Sequence, residues 1–184
     1  MQTLVSLVPC FRCHRRSETT ELSHWLRHSR PTYEELKTNS ILTTLILACN
    51  SIRSKGAKAW SKALKTNSTL TTLRSWNNSI WQKGLQPLSK KLWTKSTLTT
   101  LDLQNNLIGD IGAKALAEAL NTNSTLINLD LWGNSIVSKG VLALSKALKT
   151  NSTLTTLDMW DNSIGSKGAQ ALAQALKTNS TLIT

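Results

Sequence analysis

Leu-Thr-Thr-Leu-Asp-Leu-Gln-Asn-Asn-Leu-Ile-Gly, residues 98–109, is the stretch from which most of the chain can be rebuilt. Moved by 28 positions in either direction it falls on a copy of itself. Leu42, Leu70, Leu98, Leu126 and Leu154 open five successive copies, and Leu182 opens a sixth that holds two residues more. The ninth place of each copy is Asn50, Asn78, Asn106, Asn134 or Asn162, and the eleventh is Ile52, Ile80, Ile108, Ile136 or Ile164. Gly56, Gly84, Gly112, Gly140 and Gly168 follow at the fifteenth, and Leu64, Leu92, Leu120, Leu148 and Leu176 at the twenty-third. A fixed period of this length means a stacked repeat architecture.

Each copy divides into two halves with different periodicities. Leu101 and Leu103 alternate with polar neighbours, the period-two pattern of a short strand with one buried face. The Asn that follows stands where the chain must turn. A column of buried amides there is expected to satisfy backbone groups that stacking would otherwise strand. The second half, Gly-Ala-Lys-Ala-Leu-Ala-Glu-Ala-Leu over residues 112–120, places Leu116 and Leu120 on one stripe among strong helix formers. Ser54, Asp110, Ser138 and Ser166 precede these helices and are the expected N-caps. The Asn-Ser-Thr closing most copies ends the helix. One such unit is too small to bury its own leucines, whereas stacked units share a continuous core.

The run Leu-x-x-Leu-x-Leu-x-x-Asn-x-Ile, followed by a Gly-Ala-x-Ala-Leu helix in a 28-residue unit, resembles the ribonuclease-inhibitor-like leucine-rich repeat. That subfamily includes ribonuclease inhibitors, Ran GTPase-activating proteins and the sensor arms of nucleotide-binding immune receptors. The resemblance covers residues 31–184. It implies an α/β right-handed solenoid, or horseshoe, with parallel strands on the concave side and helices on the convex side. It implies little about function, because members share the scaffold and differ in ligand.

The organisation expected from the period is a non-repeat segment over residues 1–30, a partial copy over 31–41, five full copies over 42–181 and a truncated sixth over 182–184. Leu36, Asn39 and Ser40 keep the register of Leu64, Asn67 and Ser68, as the helical tail of a copy without its strand. A leading helix over 17–28, with Leu22, Trp25 and Leu26 on one side, is the candidate end cap. The second copy departs most from the pattern. Ser75 replaces a strand Leu, Lys91 a helix Ala and Lys95 the loop Asn, while Pro87 falls within the helix. That copy is the expected soft point of the stack. After Thr184 the expectation is either a longer protein or an exposed last face prone to pair with another chain.

Composition narrows the function. The chain has 184 residues, 40% of them hydrophobic, enough for one core. No apolar run approaches the roughly 18 residues of a membrane span, and residues 1–8 lack the basic start of a secretion signal. Three cysteines, Cys10, Cys13 and Cys49, build no disulfide framework. These features point to a cytoplasmic setting, in which the Asn-x-Ser/Thr sites at Asn67, Asn77, Asn123, Asn151 and Asn179 are by-products of the repeat.

The net charge of +12 raises the question of nucleic acid. Its lysines, among them Lys55, Lys58, Lys62, Lys65, Lys139, Lys146, Lys149, Lys167 and Lys177, fall on the helical halves and read first as a solvated outer face. No nucleic-acid motif accompanies them, so that partner is not favoured. Cys10-x-x-Cys13-His14 matches a haem-attachment pattern that requires export. Cys10, Cys13, His24 and His28 have nearly zinc-finger spacing, two residues short and without its aromatic, so no metal or other cofactor is assigned. Neither a phosphate loop nor a nucleophile elbow is present, and the repeats contain no His, so no catalytic residue is assigned.

The candidate site is the concave strand face. Position five of the copies gives Ile46, Arg74, Asp102, Asp130 and Asp158, and position seven gives Ala48, Trp76, Gln104, Trp132 and Trp160. Stacked strands lie about 4.8 Å apart, so these become two ladders. An acidic row beside exposed Trp reads as a protein-binding surface. A repeated Asp is also what duplication alone would leave, whereas Trp76, Trp132 and Trp160 are a liability without a partner. The function expected is a non-enzymatic scaffold that binds a protein partner through Trp76, Trp132, Trp160, Asp102, Asp130 and Asp158. The alternatives are a sensor-arm fragment of a nucleotide-binding immune receptor and a regulator of a small GTPase.

Overall fold

The structure, a computed structural model, describes the backbone of residues 4–6 together with residues 36–64, 66–86 and 97–183. Each copy contributes one three-residue strand: β2 (Thr44–Ile46), β3 (Thr72–Arg74), β4 (Thr100–Asp102), β5 (Asn128–Asp130) and β6 (Thr156–Asp158). All are parallel, with residues 28 apart in register: Leu45, Leu73, Leu101, Leu129 and Leu157 form one row. A further strand that the period did not predict, β1 (Leu4–Ser6), pairs with β2 and extends the sheet to six strands in sequence order. Its distance from β2 along the chain is longer than a copy, which is why no repeat reading finds it. The helical segment over 17–28 proposed as a cap, Pro87, Lys91 and Lys95 lie outside the described residues.

The helices α1 (Arg53–Ala63), α2 (Gly109–Leu120), α3 (Ser138–Leu148) and α4 (Gly165–Leu176) return the chain between strands, and α2, α3 and α4 pack in sequence. In the second copy the described residues hold only a 3-10 turn, Gln82–Gly84, with α1 and α2 packed against it on either side. Leucines at the first, fourth and sixth places and the Ile at the eleventh are buried through the middle of the stack, among them Leu98, Leu101, Leu103, Ile108, Leu126, Leu129, Leu131 and Ile136. Ser75, the one polar residue in the sixth-place column, is buried, and its hydroxyl accepts a bond from Asn78 Nδ2 at 3.2 Å. This is an α/β solenoid whose apolar residues form one continuous core rather than one per copy.

Two asparagine ladders stitch the copies. In the ninth-place column, Asn106 Oδ1 accepts from the backbone N–H of Asn78 and Ile80, one copy earlier, at 3.1 and 2.9 Å. Its Nδ2 donates to the carbonyls of Ser75, Leu103 and Gln104. Asn134 and Asn162 repeat the donor pattern on their own neighbours. The second ladder is the loop Asn of the Asn-Ser-Thr run. Asn151 Nδ2 donates to Leu120 O and Asn123 O, and Asn179 Nδ2 to Leu148 O and Asn151 O. Asn67, Asn123 and Asn151 are buried. These loop asparagines therefore do more than break helices, and in the folded chain the amides of Asn67, Asn151 and Asn179 are committed to backbone carbonyls.

The expected N-caps are corrected. The cap positions are Ile52, Ile108, Val137 and Ile164, none with a side-chain cap bond, so Ser54, Asp110 and Ser166 sit inside the first turn and Ser138 opens its helix. In copies one, three and five the helix starts directly after the eleventh-place Ile, which is buried or half-buried against the core, whereas in copy four the extended Val137 intervenes. Asp110 instead serves the next copy: its Oδ1 accepts from Val137 N and Gly140 N at 3.0 and 2.8 Å, capping α3 across the repeat boundary.

The connections from strand to helix alternate, so the full structural period is two copies. Copies three and five enter the helix through Gly109 and Gly165 at φ +53° and +62°. Copies two and four carry Trp81 and Val137 there in extended conformation, each making a single parallel bridge, to Leu107 and Ser163 respectively. A β-branched or aromatic side chain is strained at positive φ, so the residue types follow the backbone. Inside, the place after the fifteenth-place Gly alternates in size, with Ala57, Leu85, Ala113 and Val141 all buried.

Candidate functional site

The strand side carries a concavity of about 390 Å³, lined by Arg74, Asp102, Gln104, Asn128, Asp130 and Asp158, with further residues of β4, β5 and β6, among them Thr100 and Thr156. Parallel register places Arg74, Asp102, Asp130 and Asp158 side by side on consecutive strands, β3 to β6. The first two Asp are half-buried and Asp158 is exposed. Each Asp is held the same way. Its Oδ1 accepts the backbone N–H two residues on, from Gln104 at 3.1 Å, Trp132 at 3.0 Å and Trp160 at 2.8 Å. These N–H groups lie two residues past the ends of β4, β5 and β6, and the carboxylate supplies their acceptor. The repeated Asp thus has a structural task that copies one and two, with Ile46 and Arg74, do without.

The same bonds leave a second oxygen on each carboxylate. On Asp130 it accepts from Gln104 Nε2, which links the two ladders. Burial raises the Asp102 carboxyl above its ordinary value of 3.8, the Gln104 N–H opposes the shift, the Asp130 charge adds to it and the Arg74 charge relieves it. A raised folded-state pKa means that native Asp102 keeps its proton to higher pH than unfolded Asp102 does. Its contribution to stability is therefore best at low pH and falls as pH rises through the folded value. Asp102→Asn keeps the acceptor and removes the charge. The variant is expected to melt above the parent at neutral pH, with the difference closing by about pH 3. Thermal melts of both proteins at the two pH values check this.

Of the three Trp, two meet. Trp132 and Trp160 stack at 5.1 Å between ring centroids with planes tilted by 43°. Trp160 is 70% exposed. Trp132 is half-buried, and its indole N–H is shielded without a hydrogen-bond partner among the described residues. Trp76 is half-buried at the same register place in copy two, separated from Trp132 by Gln104. The site residues read from sequence thus share one face, as a row of carboxylates beside one aromatic pair. Arg74 and Gln104 were present in the two ladders but not among the expected binding residues. Their signal was their place in the register.

The lysines described on α1, on α3 and on or just past α4, such as Lys55, Lys58, Lys62, Lys139, Lys146, Lys167 and Lys177, are exposed, away from this face. Among the described residues no group of His, Cys, Asp and Glu is arranged to hold a metal, and Cys10, Cys13, His24 and His28 lie outside them. Nor is any described helix long and apolar enough to cross a membrane.

Residues 38–59, 94–117 and 150–173 match the family described as Leucine Rich repeat. No curated protein matches the chain in sequence. Among solved structures, one titled as the actin-binding site 2 of leiomodin-1 is similar at 25% identity with a TM-score of 0.55, over 82% of this chain and 73% of that one. The C-terminal domain of tropomodulin from Caenorhabditis elegans is similar in fold at 15% identity and a TM-score of 0.62, over 80% and 90% of the two chains. The chain carries leucine-rich repeats, stacked as an α/β solenoid.

Proposed function

We propose that the chain is a non-enzymatic, cytoplasmic interaction scaffold that docks a protein partner on its concave strand face, with Trp132 and Trp160 as anchors. The observation that carries this reading is the aromatic pair. A Trp that is 70% exposed beside a second, half-buried one is costly to solvate and is the residue type most enriched at interface hot spots. Asp102, Asp130 and Asp158 form the polar flank, with Trp76 beyond Gln104. The 28-residue spacing and the Gly-Ala-x-Ala-Leu helix support placing the repeats in the ribonuclease-inhibitor-like subfamily. Partners captured from a cell lysate by the intact chain are expected to be lost, by at least about tenfold, with Trp132→Ala plus Trp160→Ala, since two hot-spot residues are removed together. An unchanged partner set after the double substitution rejects the anchors.

A second reading names the partner. The leiomodin-1 structure is titled an actin-binding site, which makes actin the first protein to test. Co-sedimentation with filamentous actin, intact chain against the double Trp variant, decides it. A chain left in the supernatant removes actin and leaves the docking reading standing.

A further inference from the structure

We propose that the segment seated on the strand face is cationic: a helix of the partner, bearing Lys or Arg on one side, laid across β4, β5 and β6. This deepens the docking reading above and rests on it. The chain has 22 Lys and Arg against 10 Asp and Glu, yet three of those ten acids fall in one row on this face. Over copies three to five the fifth and seventh places, Asp102, Gln104, Asp130, Trp132, Asp158 and Trp160, are exposed or half-buried and include no cation. The face is an acidic island on a basic molecule. A basic partner is drawn to it and repelled by the lysine-bearing helices, so charge directs the partner to one side.

Geometry narrows the occupant. The carboxylates are pinned by their own backbone bonds, so they are presented without the entropy cost of ordering free side chains. Their backbones step by about 4.8 Å and 9.6 Å from β4 to β6. A helix offers side chains at i, i+3 and i+7 at about 4.5 Å and 10.5 Å along its axis, a close match, whereas an extended segment places same-side residues about 6.6 Å apart. The Trp132–Trp160 pair lies in the adjoining ladder, where it can take the apolar flank of such a helix or a cation on a ring face. Arg74 marks the end of the acidic run at β3.

The test is selection of random peptides displayed against the immobilised chain, followed by affinity measurement of the enriched peptides on three variants. Asp102→Asn, Asp130→Asn and Asp158→Asn together keep each Oδ1 acceptor and remove three charges. In that triple variant the Gln104 amide can turn its oxygen toward the new amide nitrogen at position 130, so its bond is kept. Enriched peptides are expected to be rich in Lys and Arg, to bind this triple variant at least about tenfold more weakly, and to bind Arg74→Glu more tightly. The gain with Arg74→Glu cannot come from loss of fold. Neutral or acidic peptides, or cationic ones indifferent to the triple variant, overturn the proposal. The third variant, Trp132→Ala plus Trp160→Ala, separates the two readings. If it weakens peptides that the charge variants do not, the docking face stands and the cationic class falls. If no variant weakens any peptide, or none is enriched, both fall.

Discussion

Replacing Asn106 by Ala is expected to destabilise the fold by about 3–5 kcal/mol, the largest effect of any polar substitution in the repeats. The side chain is 2% exposed and makes five bonds. Two of these donors, Asn78 N and Ile80 N, and one of the acceptors, Ser75 O, belong to the preceding copy. A typical bond is worth about 1 kcal/mol net, but groups left buried and unpaired cost about 1–3 kcal/mol each. Ala takes the partner from Asn78 N, Ile80 N and Ser75 O, in a part of the stack where water has poor access, whereas Leu103 O keeps Asn134 Nδ2 and Gln104 O keeps Asn77 N. Urea unfolding of the variant measures the loss. A change below about 1 kcal/mol would mean that the ladder decorates the stack rather than joining it.

Leu129→Ala is expected to cost about 3–4 kcal/mol, from lost transfer energy plus the cavity left behind. Leu129 is 1% exposed and lies in register between Leu101 and Leu157. The same change at Leu157, only half-buried in the last copy, is expected to cost about half as much, because neighbours can relax into the space. Equal losses at the two sites would contradict a core that is densest in the middle of the stack.

Most of the architecture was legible because each copy repeats its own physics. Leu101 and its counterparts announced strands, Asn106 and its counterparts announced turns, and the 28-residue spacing forced them into columns. What escaped was whatever breaks the period or crosses it. β1 pairs in parallel with β2, and Leu4, Val5 and Ser6 stand outside the repeat, so nothing in the spacing points to them. Asp110 was read as a cap for its own helix, since sequence proximity suggests that, and stacking instead brought it to the next. The two-copy alternation was visible in Gly109 and Gly165 against Trp81 and Val137, but its meaning depends on φ, which a list of residues does not show.

The site was legible in part for the same reason. Register alone put Asp102, Asp130 and Asp158 in one row, and the paired strands hold them there. It did not separate Trp76 from the pair made by Trp132 and Trp160, because contact between rings depends on side-chain torsions. Nor did it show that each Asp also satisfies a backbone N–H just past the end of its strand. That second task explains how the row can be both inherited and available for binding: one oxygen serves the backbone, and the other is left for a further donor, as Gln104 Nε2 is on Asp130.

Hydrogen exchange resolved at single amides tests the shared core most directly. Leu103 N and Leu131 N donate across copy boundaries to Asp130 O and Asp158 O at 3.0 and 2.8 Å. If copies are stable only against one another, both amides exchange slowly and both accelerate together in Asn106→Ala, although that substitution touches neither bond. Exchange of either amide at the rate of an unstructured chain, or acceleration of Leu103 alone with Leu131 unchanged, would contradict a stack that stands or falls as one body.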